Sequence, residues 1–184
     1  ERINVQYSVA DSELRNIPHS EPFVVLANHP FGFLDSLILL SIFGKDREDF
    51  KVMANISHKE MKAISSLFIE PGENFSKGVV SQTAMDSCSA HLASGNSVAL
   101  FPSCSRIGSN KTDNIKWHES VIRIALDAGL PVGPVYFYGT NSRISQILDI
   151  LPPSLRSWAM PAEMIQKENS TIRLRIGKVI SPSD

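Results

Sequence analysis

Cysteine is nearly absent from this chain: of its 184 residues only Cys88 and Cys104 carry a thiol. Two cysteines cannot build a disulfide framework, and theirs is not the CxxC spacing of a zinc site. A reducing compartment is therefore the expectation. An excess of positive charge is missing too. The 18 basic and 19 acidic residues leave a net charge of −1, which excludes a broad basic field for nucleic acid. Long apolar runs are also missing. The longest, Leu37 to Phe43, is interrupted by Ser41 and falls far short of the roughly 18 residues that a membrane span needs. There is no signal-peptide pattern. Any membrane contact is expected through a surface patch or a segment outside this chain, which opens with Glu1 rather than Met, as a domain lacking an N-terminal segment would. No repeat, low-complexity tract or Pro/Ser linker divides residues 1–184, so one domain is expected. With 42% hydrophobic residues it is long enough and apolar enough to bury a sizeable core.

Short β-rich runs alternate with amphipathic stretches. Ile3, Val5, Tyr7 and Val9 alternate with polar residues, which predicts a half-buried strand. Phe23 to Ala27 is continuously apolar, as a strand covered on both faces would be. Further strands are expected at Phe50 to Ala54, Leu67 to Glu70, Val98 to Phe101, Val132 to Tyr138 and Ile172 to Ile176. Helices are expected at Leu34 to Phe43, Lys59 to Ser66, Val79 to Ser94, Lys116 to Ala128 and Ser142 to Leu151. This alternation predicts an α/β fold, a single mixed sheet flanked by helices. In such sheets the site forms in the loops beyond the carboxyl ends of the strands.

One of those loops carries Asn28-His29-Pro30-Phe31-Gly32-Phe33-Leu34-Asp35. Pro30 ends the strand by removing an amide donor, and Gly32 can take a backbone angle closed to other residues. Asp35 then falls in the first helical turn, where a carboxylate suits the positive end of the helix dipole. Folded back, Asp35 can fix the tautomer of His29 while His29 accepts a proton, the base-and-orienter arrangement of acyl transfer. The competing reading of the same residues is a structural turn with Asp35 as a helix cap.

The order of several segments resembles the glycerolipid acyltransferase family. "VVLANHPFGFLDSLILL" resembles its first block, and "LFIEP" at Leu67 to Pro71 stands where the second lies. "ALFPSCSRIGS" is similar to the third, with Phe101 and Pro102 at its opening and Arg106 at its arginine. "IKWHESVIRIALDAGLPVGPVYFYGTNSR" resembles the helix, strand and fourth block that follow, with Pro131 to Val135 as that block. The five residues between His29 and Asp35, the stretch Gly139-Thr140-Asn141-Ser142 and the closing "IRLRIGKVI" look most like the hemolysin-like branch, which includes ornithine-lipid acyltransferases. The resemblance runs from about Phe23 to Ile180.

It implies transfer of a fatty acyl group from acyl carrier protein or coenzyme A to a lipid-precursor hydroxyl, with His29 as base and Asp35 as its orienter. No cofactor or metal is implied beyond the thioester donor. Asn28, Gly32, Ser103, Arg106 and Asn141 are implied in substrate binding, Arg106 through a phosphate or carboxylate that suits its planar fork. The implied partners are the donor, a lipid acceptor and a membrane surface. The implied location is the cytoplasm, peripheral to the inner membrane. The third block departs from the family pattern. Ser103 and Cys104 replace its Glu and Gly, and Ser105 stands where the hemolysin-like branch often has an acid. The second block lacks an arginine, for which Lys77 is a substitute.

Two rival functions stand beside this one: a thioesterase or cysteine hydrolase using Cys104, and a non-catalytic module binding acyl lipid or acyl carrier. His19, His58, His91 and His118 read as ordinary surface residues. His118-Glu119 lacks the second histidine of a zinc protease helix. The clusters Leu37 to Phe43 and Ile147 to Leu151 read as core faces that can also line an acyl groove. The stretch near Trp158 and Met160 is a candidate for membrane contact.

Overall fold

A computed structural model of the chain describes residues 5–54, 62–72, 80–102, 119–139 and 170–183. Seven strands form one sheet: β1 (Gln6–Ser8), β2 (Val24–Ala27), β3 (Lys51–Met53), β4 (Phe68–Ile69), β5 (Val98–Leu100), β6 (Val132–Phe137) and β7 (Thr171–Ile176). Their order across the sheet is β1-β7-β6-β2-β5-β3-β4. From β6 to β4 every neighbouring pair is parallel, whereas β7 runs antiparallel to β6 and β1 follows β7 in parallel. The expected mixed α/β sheet is therefore present.

Side-chain alternation assigns the two faces. Phe23, Val25, Ala27, Ala99 and Val135 point into one apolar cluster with Leu34, Ile38 and Leu39 of helix α2 (Phe33–Phe43). Val24, Met53, Val98 and Leu100 point the other way. There they meet Ala84, Cys88 and Leu92 of α3 (Gln82–Ala93), and Val121, Ile124 and Ala125 of α4 (Glu119–Ala128). This is why β2 reads as an unbroken apolar run: both of its faces are covered. On β7 exposed and buried residues alternate, and on β6 buried residues alternate with partly buried ones and the exposed Tyr136, so these two strands are less covered on one face.

The expected strands from 23 to 176 form at their positions, some shorter at the ends. The expectation for the first strand needs correction. Only Gln6 to Ser8 pair, and all three are exposed; Val5 and Val9 at its ends are partly buried against the core as expected, whereas the Tyr7 hydroxyl meets Ser41 Oγ at 3.2 Å on the surface. An additional short helix, α1 (Asp11–Leu14), follows. Of the helix expected at Lys59 to Ser66, the described part, Lys62–Leu67, is 3-10 rather than α. The helix expected at Ser142 to Leu151 lies outside the described residues, as do Trp158 and Met160.

A polar lock closes the amino end of the parallel strands. Arg47 donates to both carboxylate oxygens of Asp49, at 3.0 and 2.8 Å, and to the Glu21 carbonyl at 2.8 Å, with its guanidinium 5.2 Å from the Phe23 ring centroid. Asp49 accepts from the Ser97 amide, and Ser97 Oγ accepts from the Phe23 amide. His91 belongs to this lock. Its Nε2 lies 2.7 Å from the Asp49 carbonyl and is the donor there, so the reading of His91 as an ordinary surface residue is corrected.

Candidate active site

The parallel ladder between β2 and β6 ends at Ala27 opposite Val135. Beyond it the chain turns through Pro30 and Gly32 into α2. Gly32, the residue before the helix, has φ 63° and ψ −134°, a conformation essentially confined to glycine. The requirement at Gly32 is therefore conformational. It lets α2 begin within a turn of His29 and brings Asp35 back beneath the loop.

Asp35 Oδ2 accepts from the Phe31 amide at 2.8 Å and lies 3.3 Å from His29 Nδ1. The two groups are at ion-pair distance but not aligned as a hydrogen bond, since His29 Nδ1 and Asp35 Oδ1 make no hydrogen bond in this arrangement. Asp35 is wholly buried, whereas the His29 side chain is 20% exposed. Burial pushes the Asp35 carboxyl above its ordinary range, outweighing the nearby imidazole and the Phe31 amide, which pull it down. Beneath the histidine the Phe101 ring, at the end of β5, stacks at a centroid distance of 4.0 Å and a tilt of 32°. The imidazole is thus held between an aromatic floor and a buried carboxyl group.

The His29 loop is tied to β6 at two further points. The Asn28 carboxamide donates from Nδ2 to the Phe137 carbonyl at 2.9 Å and accepts the Phe137 amide at 2.7 Å. Both ends of the Asn28 carboxamide thus engage the Phe137 backbone, a structural tie beside the substrate contact expected of this residue. Gly139, at φ 131°, lies so close to Phe31 that a Cβ there would stand 2.4 Å from the ring. No single segment of sequence signals these couplings, since each joins residues more than 100 positions apart.

His29, Asp35, Asn28, Gly32 and Phe101 are thus brought together at the carboxyl end of the strands. Ser103, Cys104, Arg106, Asn141 and Lys77 lie outside the described residues. The described cysteine, Cys88, is buried in the α3 side of the core, where desolvation pushes its thiol up to about 12. It is an inert packing residue. A groove of about 760 Å³ runs along α3, lined among others by Lys51, Phe68, Ser81, His91 and Asn96, without His29 or Asp35. No group of three or more potential metal ligands occurs among the described residues.

The residues expected as base and orienter, His29 and Asp35, thus stand together at the end of a parallel strand. The chain belongs to the acyltransferase family, whose model matches residues 8–138. Among characterised proteins it is similar to a lyso-glycine lipid O-acyltransferase of Phocaeicola vulgatus, 24% identical over 176 residues covering 91% of this chain and 62% of that protein. Among solved structures it resembles the 1-acyl-sn-glycerophosphate acyltransferase of Thermotoga maritima. The TM-score is 0.57 at 20% identity, over 97% of this chain and 63% of that one. The likeness to that structure establishes the fold. The chain spans under two thirds of the length of each relative.

Proposed function

We propose that this domain moves a fatty acyl group from acyl carrier protein or coenzyme A to a hydroxyl of a lyso-lipid or aminolipid precursor. His29 is the general base and Asp35 its orienter. The observation that carries the reading is the approach of His29 Nδ1 to within 3.3 Å of the buried Asp35 carboxylate at the end of β2. With the Nδ1 proton directed at Asp35, Nε2 keeps its lone pair and takes the acceptor's hydroxyl proton. The oxygen attacks the thioester carbonyl, the tetrahedral adduct collapses, and the thiolate leaves. The proton on Nε2 passes to that thiolate, so the base is regenerated and no covalent enzyme intermediate forms. Buried Asp35 stabilises the transient imidazolium. The P. vulgatus relative acts, by its name, on a lyso-glycine lipid, which makes amino-acid-containing lyso-lipids the first acceptors to offer.

The domain works at the cytoplasmic face of the inner membrane as a peripheral protein. No helix among the described residues is long and apolar enough to cross a bilayer. The less covered face of β6 and β7 supports peripheral contact: Tyr136 and Tyr138 are exposed there, edge to face at 5.0 Å, with Arg173 5.2 Å from the Tyr138 ring. Amphipathic rings beside a guanidinium suit the headgroup layer. From Leu130 to Gly139 and from Ser170 to Ile180 the chain carries Arg173, Arg175 and Lys178 and no acidic residue.

The deciding experiment measures thiol release from acyl carrier protein and coenzyme A thioesters over a panel of lyso-lipids that includes lyso-glycine lipid. Acceptor-dependent release that disappears in His29→Ala supports the proposal. Hydrolysis without acceptor that persists in His29→Ala and disappears in Cys104→Ser would instead make the domain a cysteine hydrolase. Donor binding without turnover would make it a binding module.

A further inference from the structure

We infer that Asn28 is a positioning residue for catalysis: its carboxamide stands in for a strand residue and so fixes the direction in which His29 leaves the sheet. The inference rests on His29 being the base. Two residues beyond the last position of β6 paired with β2, Phe137 still directs its N–H and C=O toward β2. Had β2 continued, residue 29 would be held in the ladder opposite Phe137, yet Pro30 has no N–H to offer the Phe137 carbonyl. The Asn28 side chain meets both Phe137 groups instead, at 2.7 and 2.9 Å. Both partly buried backbone groups are satisfied, and the main chain is free to turn out of the sheet at this residue.

Two hydrogen bonds of opposite polarity also fix the rotation of the carboxamide, which one bond would not. Together with the contact of Phe31 on Gly139, they hold the loop on both sides of His29 against β6. The His29 ring, lying on Phe101 and only loosely aligned with Asp35, takes its direction from this backbone anchor. Asn28 touches neither Asp35 nor a reacting atom among the contacts described, so its effect on turnover passes through His29.

Geometry of this kind has a specific chemical test. In Asn28→Asp the neutral acid reproduces the amide: its hydroxyl donates to the Phe137 carbonyl and its other oxygen accepts the Phe137 amide. The ionised acid retains the acceptor but sets a carboxylate oxygen against a carbonyl oxygen. Activity of N28D relative to the parent is therefore expected to be low at alkaline pH and to recover on acidification. Among the described residues, the titratable groups next to this position are His29, adjacent in the chain, and Asp35, which pairs with it. A merely electrostatic effect of a new carboxylate on His29 has the opposite slope.

The experiment compares parent, N28A, N28D and H29A, with kcat and KM from thiol release using an acyl thioester and lyso-glycine lipid across pH 5.5–9. In parallel, amide hydrogen exchange at Phe137 is followed by NMR, which needs no turnover. The expected result is a kcat loss of about 10²-fold in N28A with little change in KM, a rising N28D ratio on acidification, and loss of Phe137 amide protection in N28A while Val135 stays protected. A kcat of N28A within about twofold of the parent, an N28D ratio that is flat or falls on acidification, or unchanged Phe137 exchange overturns the inference. If N28A does not fold, the isosteric N28D carries the test alone. H29A that still turns over removes the base and the inference with it. Inactive H29A with a flat N28D ratio overturns the role of Asn28 alone.

Discussion

Asp35 and Asp49 act on stability in opposite directions as pH changes. Burial holds the Asp35 carboxyl above its unfolded value, so its folded form resists ionisation. The penalty is absent below the unfolded value of about 3.9 and grows as pH rises through the folded one. Asp35→Asn is accordingly expected to match the parent in urea midpoint at acid pH and exceed it near neutrality, while kcat falls by about 10³-fold or more. The Arg47 hydrogen bonds, ahead of smaller electrostatic and backbone contributions, hold Asp49 below its ordinary range. Its stabilisation is present above the unfolded value and is lost as pH falls through the folded one. The deficit of Asp49→Asn in the same urea titration is expected to vanish as acid is added. Truncating Arg47 to Ala removes both bonds to Asp49 and that to the Glu21 carbonyl. It is expected to lower the unfolding free energy by roughly 2–3 kcal/mol, leaving KM unchanged because the lock lies at the end of the sheet away from His29. The approach of Asp35 to His29 was legible in sequence because six successive positions hold a proline, a glycine and an acid at helix-turn spacing from the histidine. The lock was not, because Arg47, Asp49, His91 and Ser97 each look like loop or surface residues until the strands bring them together.

Among the elements, β2 and β7 were readable for opposite reasons. An unbroken Phe-Val-Val-Leu-Ala belongs to a strand covered twice, and alternating Ile172, Leu174 and Ile176 to one covered once. The first strand misled in part: Val5 and Val9 do lie partly buried against the core, but Tyr7 between them stays on the surface and only three residues pair. Periodicity reports which residues share a face but not how many of them pair or how deeply each is covered. The loop after β6 depends on Gly139 in the same element-level sense. Gly139→Ala would place a methyl group 2.4 Å from the Phe31 ring at a backbone angle that side chains avoid. It is expected to cost about 1–3 kcal/mol, seen as a lower thermal midpoint, and to reduce kcat by displacing the segment that follows His29.

For the whole molecule the two faces of the sheet divide the labour. α2 and the site loop cover one side, α3 and α4 the other, and the ends of β6 and β7 stay open on the second. If that open region meets the bilayer, Tyr136→Ser with Tyr138→Ser and Arg173→Glu is expected to weaken sedimentation with anionic vesicles several-fold. Binding of the parent should decline with salt, while thiol release from a water-soluble short-chain acceptor stays near the parent value. The mixed α/β class was legible from the alternation of runs, but the reversal of β7 was not, since nothing in Thr171 to Ile176 encodes direction. That reversal has a consequence for synthesis. β1 has one neighbour in the sheet, β7, and Gln6 waits for Thr171 to be made. At about 5–20 residues per second, the first strand spends roughly 8–33 s as an unpaired ribbon beside a growing sheet. It is three residues long, with a glutamine and a serine around its one aromatic, which offers little template to a neighbouring nascent chain on the same message.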